Sequence, residues 1–400
     1  MLICVRSAWG AARRPVAQGK PRRGRGPGTM VPSRVLVCLI TGLAMPGAVA
    51  FELSDRLAVG VAGRGLIQHG VFHRTLSDDG GPVSNRTRGT AIVDLDLDYH
   101  PTDRDTLYTA ARWAKGNALN DTVGLQISPY GGDLEDDVKD VANRNRNYLL
   151  VAWYRHRFEF SEAAGLALTG GLIDSSSYLD LNAFAGDQDA QFMNELFVQN
   201  NLASIPAYDA GVAVEGRWRR WSLNTVVMRA KNELDRNYLY YGAQLGVALD
   251  GGLGAGNYRG FAFTTSGDFA DPNRGIDSKH LMGWGLSADQ WLGDSLGLFA
   301  RVGWQNHASV EFDNLFSAGI QLSGRLWGRA QDQAGLALAH VHGQNHSNID
   351  HSNLAEAYVR FQLGAHLDLS VDVQYETTEV DDRAHNPRAW ILGTRLNSYF

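Results

Sequence analysis

The stretch Ala91-Ile92-Val93-Asp94-Leu95-Asp96-Leu97-Asp98-Tyr99 permits one kind of secondary structure. Ala91, Val93, Leu95, Leu97 and Tyr99 fall on one side; Asp94, Asp96 and Asp98 fall on the other. A period of two cannot be an amphipathic helix, so this is a strand with an apolar and a charged face. The alternation returns at Ala355 to Leu363 and at Leu367 to Glu376. Sixteen such segments follow one another, from Leu57 to Phe72, the weakest, through Leu107 to Lys115 and Leu315 to Trp327, to the last one ending at Phe400. Each has roughly nine to thirteen residues, the length a tilted strand needs to cross a bilayer.

The links between these segments alternate. Short ones, such as Ser161-Glu162-Ala163 and Gly364-Ala365-His366, take turns with long ones, such as Gly116 to Arg146 and Ser175 to Ala207. Outer-membrane barrels have short periplasmic turns and long external loops in this order. A soluble sandwich has no reason to keep it. The expectation is an all-β fold: a transmembrane antiparallel β-barrel of about 16 strands. Both termini then lie on the periplasmic side.

The two ends of the chain agree. Trp390, Leu392, Thr394, Leu396, Ser398 and Phe400 share one face of the last strand. An aromatic row that runs to the final residue suits hydrocarbon, and it is the expected address for barrel-assembly machinery, with Phe400 as its key. At the other end Met30 opens a second start: Arg34, an apolar run from Val35 to Met45, then Ala48-Val49-Ala50, the small residues of a signal-peptidase site. Residues 1–50 are therefore expected to be an N-terminal extension plus signal peptide, and 51–400 the barrel. Eight of the 37 basic residues but none of the 43 acidic ones precede Phe51, so the mature part carries a net charge near −14. That argues against nucleic acid as a partner. Cys4 and Cys38, the two cysteines, both lie before Phe51, so no disulfide or thiolate site is expected in the barrel.

Two stretches carry a family resemblance. One is Gly170-Gly171-Leu172-Ile173-Asp174-Ser175-Ser176-Ser177-Tyr178-Leu179-Asp180-Leu181-Asn182-Ala183-Phe184-Ala185-Gly186-Asp187 with Gln191-Phe192-Met193-Asn194. The other starts at Asp289-Gln290-Trp291-Leu292, passes through Leu298 to Trp304 and Gly324 to Arg329, and reaches Ala337. Both resemble the carbohydrate-selective porin (OprB) family. The resemblance implies a sixteen-stranded pore in the outer membrane of a Gram-negative bacterium, through which monosaccharides diffuse. The family also has members assigned to inorganic ions, so a general or ion porin stays as the alternative.

The residues can be read without the family. A sixteen-strand barrel leaves an aqueous lumen. Its inward row is expected to include two acidic ladders, Asp94, Asp96 and Asp98 against Asp368, Asp372 and Glu376. Arg112, Arg155, Arg157, Arg217, Arg301, Arg325 and Arg360, with Glu215 and Glu356, belong to the same row. Ladders of opposite sign facing each other would orient a dipolar solute. The loop from Ser175 to Ala207 is the candidate constriction. Its Tyr178 and Phe184 could stack on sugar rings while Asp180, Asp187 and Glu195 accept hydroxyl hydrogen bonds. The same aromatics could instead pack the loop against the wall. Trp113, Trp153, Trp218, Trp221, Trp291, Trp304, Trp327 and Trp390 are expected mostly in an interfacial girdle.

His340, His342, His346 and His351 form the tightest histidine cluster. Flexible loops rarely preorganise a metal site, so no metal and no cofactor are expected. No catalytic site is expected either. The expected partners are small sugars or other hydrophilic solutes, outer-membrane lipid, the assembly machinery and, as an open option, further copies of the chain.

Overall fold

The computed structural model describes residues 51–400 except 77–80, 121, 123, 233–234, 268, 272–275, 307–309, 345–346 and 382–385. The proposed signal segment and His346 lie outside the described residues.

The chain alternates strand and turn, as the period of two dictates. A short β1 (Phe51–Ser54) precedes β2 (Leu57–His73), β3 (Arg86–Thr102), β4 (Asp105–Lys115), β5 (Leu149–Ser161), β6 (Ala164–Ile173) and β7 (Asp209–Trp218). Then come β8 (Trp221–Lys231), β9 (Asn237–Gly251) and β10 (Gly254–Thr265). A small ribbon, β11 (Phe269–Asp271) and β12 (Ile276–Lys279), sits in the next external loop. The remaining strands are β13 (Met282–Leu292), β14 (Leu296–Gln305), β15 (Phe312–Ser323), β16 (Gln333–Gly343), β17 (Ile349–Gln362), β18 (Leu367–Val380) and β19 (Arg388–Tyr399). Two short helices, α1 (Glu135–Lys139) and α2 (Glu195–Val198), lie in the two longest loops.

β2 to β10 and β13 to β19 pair antiparallel with their neighbours, and β19 pairs with β2, closing a barrel of sixteen strands. Closure removes every sheet edge, the condition for strands in hydrocarbon. At the seam Phe400 and Val61 exchange both backbone hydrogen bonds, 2.8 and 2.9 Å.

The parity of the faces holds round the ring. Leu95, Leu97, Leu245, Leu338 and Leu392 point outward and are exposed, while Asp94, Gln244, Ala337 and Arg395 point inward and are buried. A groove of about 520 Å³ over Ala288, Leu298, Ala300, Ala318 and Leu336 lies on the outward face and so meets lipid, not the lumen. The tryptophan girdle needs one correction. Trp113, Trp218, Trp221, Trp304, Trp327 and Trp390 are exposed. Trp153 and Trp291 instead turn inward, Trp153 stacking on Tyr108 and Trp291 meeting Phe184 edge-on.

The segment expected as one strand from Leu315 to Trp327 breaks at Ser323. Ser323 caps a single 3₁₀ turn, Gly324–Trp327, and Gly328 ends it at φ 79°, a left-handed conformation that suits glycine.

Candidate functional site: the lumen and its two inward loops

The 175–207 loop is built from local caps. Asp174 accepts the amide of Ser176, Asn182 accepts those of Phe184 and Ala185, and Asn194 caps α2 through Leu196. Short Asn and Asp side chains bonding nearby amides hold a loop without a ladder. Thus stiffened, it folds into the barrel.

The walls of β8 to β10 and of β13 to β19 receive it: Asn224 and Gln244 donate to the Tyr178 carbonyl, and Arg259 donates to that of Leu181. Arg301 on β14 donates to the carbonyls of Phe197 (2.7 Å), Asp180 (3.2 Å) and Ala185, and its Nε lies 3.2 Å from the Asp180 carboxylate. Arg395 on β19 donates to the carbonyls of Gln188 and Gln191 and to Ser370 Oγ. Glu356 on β17 accepts the amides of Met193 and Asn194, and Asp289 accepts that of Ala183. Apolar contacts fill the rest. Phe184 meets Trp291 edge-on at 4.7 Å, and Phe192 packs among Phe197, Phe299 and Tyr358.

A second loop, 116–148, also turns inward, which sequence reasoning missed. Gln68 and Gln374 both donate to the Pro129 carbonyl, and Glu376 accepts the amide of Gln126. The loops bond to each other: Gly131 N to Met193 O at 2.7 Å, Glu195 N to Ser128 O at 3.2 Å, and Tyr130 Oη to Asp189 at 2.8 Å. Together they make one plug that leaves part of the wall free. The signal for the second loop was its share of buried apolar residues, Leu119, Ile127, Tyr130, Leu134 and Val138, too many for a loop in water.

Electrostatics follow the docking. Arg64 bridges Asp94 and the loop's Asp189 at 2.8 and 3.0 Å; Arg112 pairs with Asp94 at 2.6 Å and reaches Asp133 at 3.6 Å. Burial raises the Glu195 carboxyl, and burial with the neighbouring Asp189 charge raises Asp187. Burial pushes the Tyr178 hydroxyl up to about 12.

The candidates named from sequence therefore separate. Asp180, Phe184, Arg112 and Arg301 are each 1% exposed, and Tyr178 is buried. These five hold loop to wall; the ring-stacking role for Tyr178 and Phe184 is withdrawn, since no ring face is open. Asp187 and Glu195 are half-buried within the plug. Arg325 is not in the wall: it sits in the exposed turn after β15, 3.9 Å from Asp294 of the β13–β14 turn beside it. The facing ladders also dissolve, because Asp94 is neutralised by arginines on adjacent strands. Glu215 and Arg217 keep their lumen exposure. They belong to a patch at the periplasmic ends of β3, β5 and β7 where Arg155 pairs with Glu215, and His100 Nε2 lies 3.2 Å from Asp98. Arg157 stands exposed beside them.

Gly293-Asp294-Ser295-Leu296-Gly297 has the spacing of a hydrolase nucleophile elbow. It forms the turn between β13 and β14 rather than a strand-to-helix elbow, so the spacing lacks its structural context.

Comparisons with known proteins bear on the same region. A family model described as carbohydrate-selective porin, OprB family, matches residues 100–400. An uncharacterised protein of Aquifex aeolicus (strain VF5) is 26% identical over 319 residues, covering 78% of this chain and 90% of that protein. Among solved structures, Pseudomonas putida OprB at high pH superposes with a TM-score of 0.67 at 15% identity, covering 86% of this chain and 94% of that one. The outer-membrane channel DcaP of Acinetobacter baumannii gives 0.54 at 11% identity, covering 87% and 99%.

Proposed function

The chain belongs to the carbohydrate-selective porin (OprB) family and is an outer-membrane channel of a Gram-negative bacterium; from that premise we propose that it passes small uncharged solutes, monosaccharides first, along a corridor narrowed by the 175–207 loop. One observation carries the reading: the loop is bonded to β8–β10 and to β13–β19, while at the periplasmic ends of β5 and β7 Arg157 stays exposed and Arg155, Glu215 and Arg217 stay half-buried. Guanidinium donors beside carboxylate acceptors match the hydroxyl pattern of a sugar. Water-exposed pairs bind such groups weakly, which passage requires. The family and the fold go with a channel rather than an enzyme. The second reading, an ion or general porin, is favoured by the same charges if selectivity follows charge and not hydroxyl number.

The test is a deletion of residues 183–193 followed by planar-bilayer recording and liposome swelling. Conductance is expected to rise several-fold and monosaccharide block of the ion current to weaken. Unchanged conductance and block would place the constriction elsewhere. Swelling rates that follow charge and ignore hydroxyl number would favour the ion porin.

For assembly, the proposal is that Phe400 serves as the recognition residue of the terminal strand. It is exposed on the outward face and lies over the His366 ring at 5.9 Å. Removing it should slow insertion by assembly machinery in reconstituted vesicles. Wild-type insertion rates would end that proposal.

A further inference from the structure

The external rim of β15 to β18 carries a row of chemistry that a pore does not need. In register across the sheet stand Asn314, His342, His351 and Glu379, each opposite the next. Residues directly opposite share a face, with Cβ atoms roughly 4.5–5.5 Å apart. Here the face is the outward one, the same as that of exposed Leu336 and Leu338. His340 lies one step down, its ring 5.2 Å from that of His351.

Two bulges sharpen the arrangement. β15 shifts register between Phe312 and Asn314, and β17 shifts between Ile349 and His351. The extra residues are Asp313 and Asp350. Each turns its carboxylate to an imidazole: Asp313 to His342 Nδ1 at 2.9 Å, and Asp350 to His351 Nδ1 at 3.1 Å. Bulges re-aim side chains in this way. A neutral ring that donates from Nδ1 presents its Nε2 lone pair, and a carboxylate on Nδ1 is the usual partner of a metal-bound histidine. His351 Nε2 lies 3.8 Å from a Glu379 carboxylate oxygen. His351, Glu379 and Asp350 each offer a ligand atom within 4.8 Å of the others.

We propose that this rim is a divalent transition-metal site, with His351 Nε2 and Glu379 as ligands and Asp350 orienting the ring through Nδ1. Two carboxylates and an imidazole match a dication in charge. An imidazole in the set favours the zinc, copper and nickel class over magnesium or calcium. The site differs from the flexible-loop cluster that the sequence suggests, because β-ladder pairing fixes His351 and Glu379 in register. The row also faces the headgroup zone of the outer leaflet, so a bound ion would sit at the lipid boundary and outside the solute path.

The test uses untagged, detergent-folded full-length barrel in equilibrium dialysis against zinc, read by elemental analysis. The expected result is one zinc per chain, held against a large excess of magnesium. Asp350→Asn should weaken it at least tenfold. The double variant His351→Ala, Glu379→Gln should lose it, and His69→Ala, on the distant β2, should keep it. Folding of each variant is checked by heat-modifiable gel mobility, and the near-isosteric Asp350→Asn and Glu379→Gln variants keep the test open if removal of the ring disturbs assembly. Zinc binding equal in wild type and double variant, or displaced by magnesium, would overturn the proposal.

Discussion

Two sides of the barrel interior carry the same kinds of charge and use them differently. On β14, β17 and β19, Arg301, Glu356 and Arg395 are buried and spend their hydrogen bonds on the backbone of the 175–207 loop. On β3, β5 and β7, Asp98, Arg155, Arg157, Glu215 and Arg217 stay half-buried or exposed; Arg155 pairs with Glu215, Asp98 with His100, and Arg157 donates to the Asp103 carbonyl. A charge on the inward face of a pore is therefore no sign of contact with the solute. What separates the two sets is whether a loop arrives to cover them. A covered guanidinium binds fixed carbonyls; an open one is left for whatever passes.

The largest expected effect comes from the covered side. Arg301→Met leaves Asp180 as a buried, unpaired carboxylate and strands the carbonyls of Phe197, Asp180 and Ala185. Breaking a buried pair in this way costs about 3–5 kcal/mol. Phe184→Ala, which empties the contact with Trp291, should cost about 3 kcal/mol. Arg217→Met, on the open side, should cost under about 1 kcal/mol. Hydrogen exchange over residues 180–198 measures all three. Similar losses from Arg301→Met and Arg217→Met would erase the distinction between the sides.

Next in size is ion selectivity. Arg155→Ala and Arg217→Ala remove half-buried positive charge from the inward wall, so on the proposed corridor the reversal potential should move toward cation preference. Arg325→Ala, out on its turn, should leave it where it was. A shift from Arg325 as large as that from Arg217 would show that the open wall is not where ions pass.

The smallest effect is local and acid-dependent. Hydrogen bonds from Lys115 and Lys139, with the Gly116 amide, hold the Glu135 carboxyl down at about 2. Its contribution to the 116–148 loop is thus present above the ordinary glutamate value of 4.5 and is lost as pH falls from there toward 2. Amides of residues 134–140 should lose exchange protection between pH 5 and pH 3, and Glu135→Gln should abolish the difference. Equal protection at both values would mean the clasp contributes nothing.

Much of this fold can be read in the chain because a barrel strand declares both faces at once. Asp94, Asp96 and Asp98 between Val93, Leu95 and Leu97 need no tertiary information to be placed. The break at Ser323 was hidden, because Leu322 to Trp327 keeps an alternation that a 3₁₀ turn also tolerates. The inward course of residues 116–148 was hidden for a deeper reason. A loop has no period, and its burial depends on partners such as Gln68, Gln374 and Glu376, the last two roughly 250 positions away. The candidate site suffered likewise. Arg301 and Glu215 look alike in sequence; only the arrival of Asp180 and Phe197 tells an anchor from a lining residue.

The seam between β19 and β2 has a kinetic consequence. Ser398 Oγ bonds to the Gly63 carbonyl across 335 positions of chain. Every other ladder in the ring joins strands that follow one another round the ring in chain order, β10 and β13 with only the β11–β12 ribbon between them. This one must wait for a contact of the highest order the chain possesses, and rates fall as such separations grow. Until it forms, β2 and β19 are two unpaired edges, the most adhesive surface a sheet can show. The slow step of folding and the moment of greatest aggregation risk are thus the same event, and anything that shelters one of those two strands shortens both.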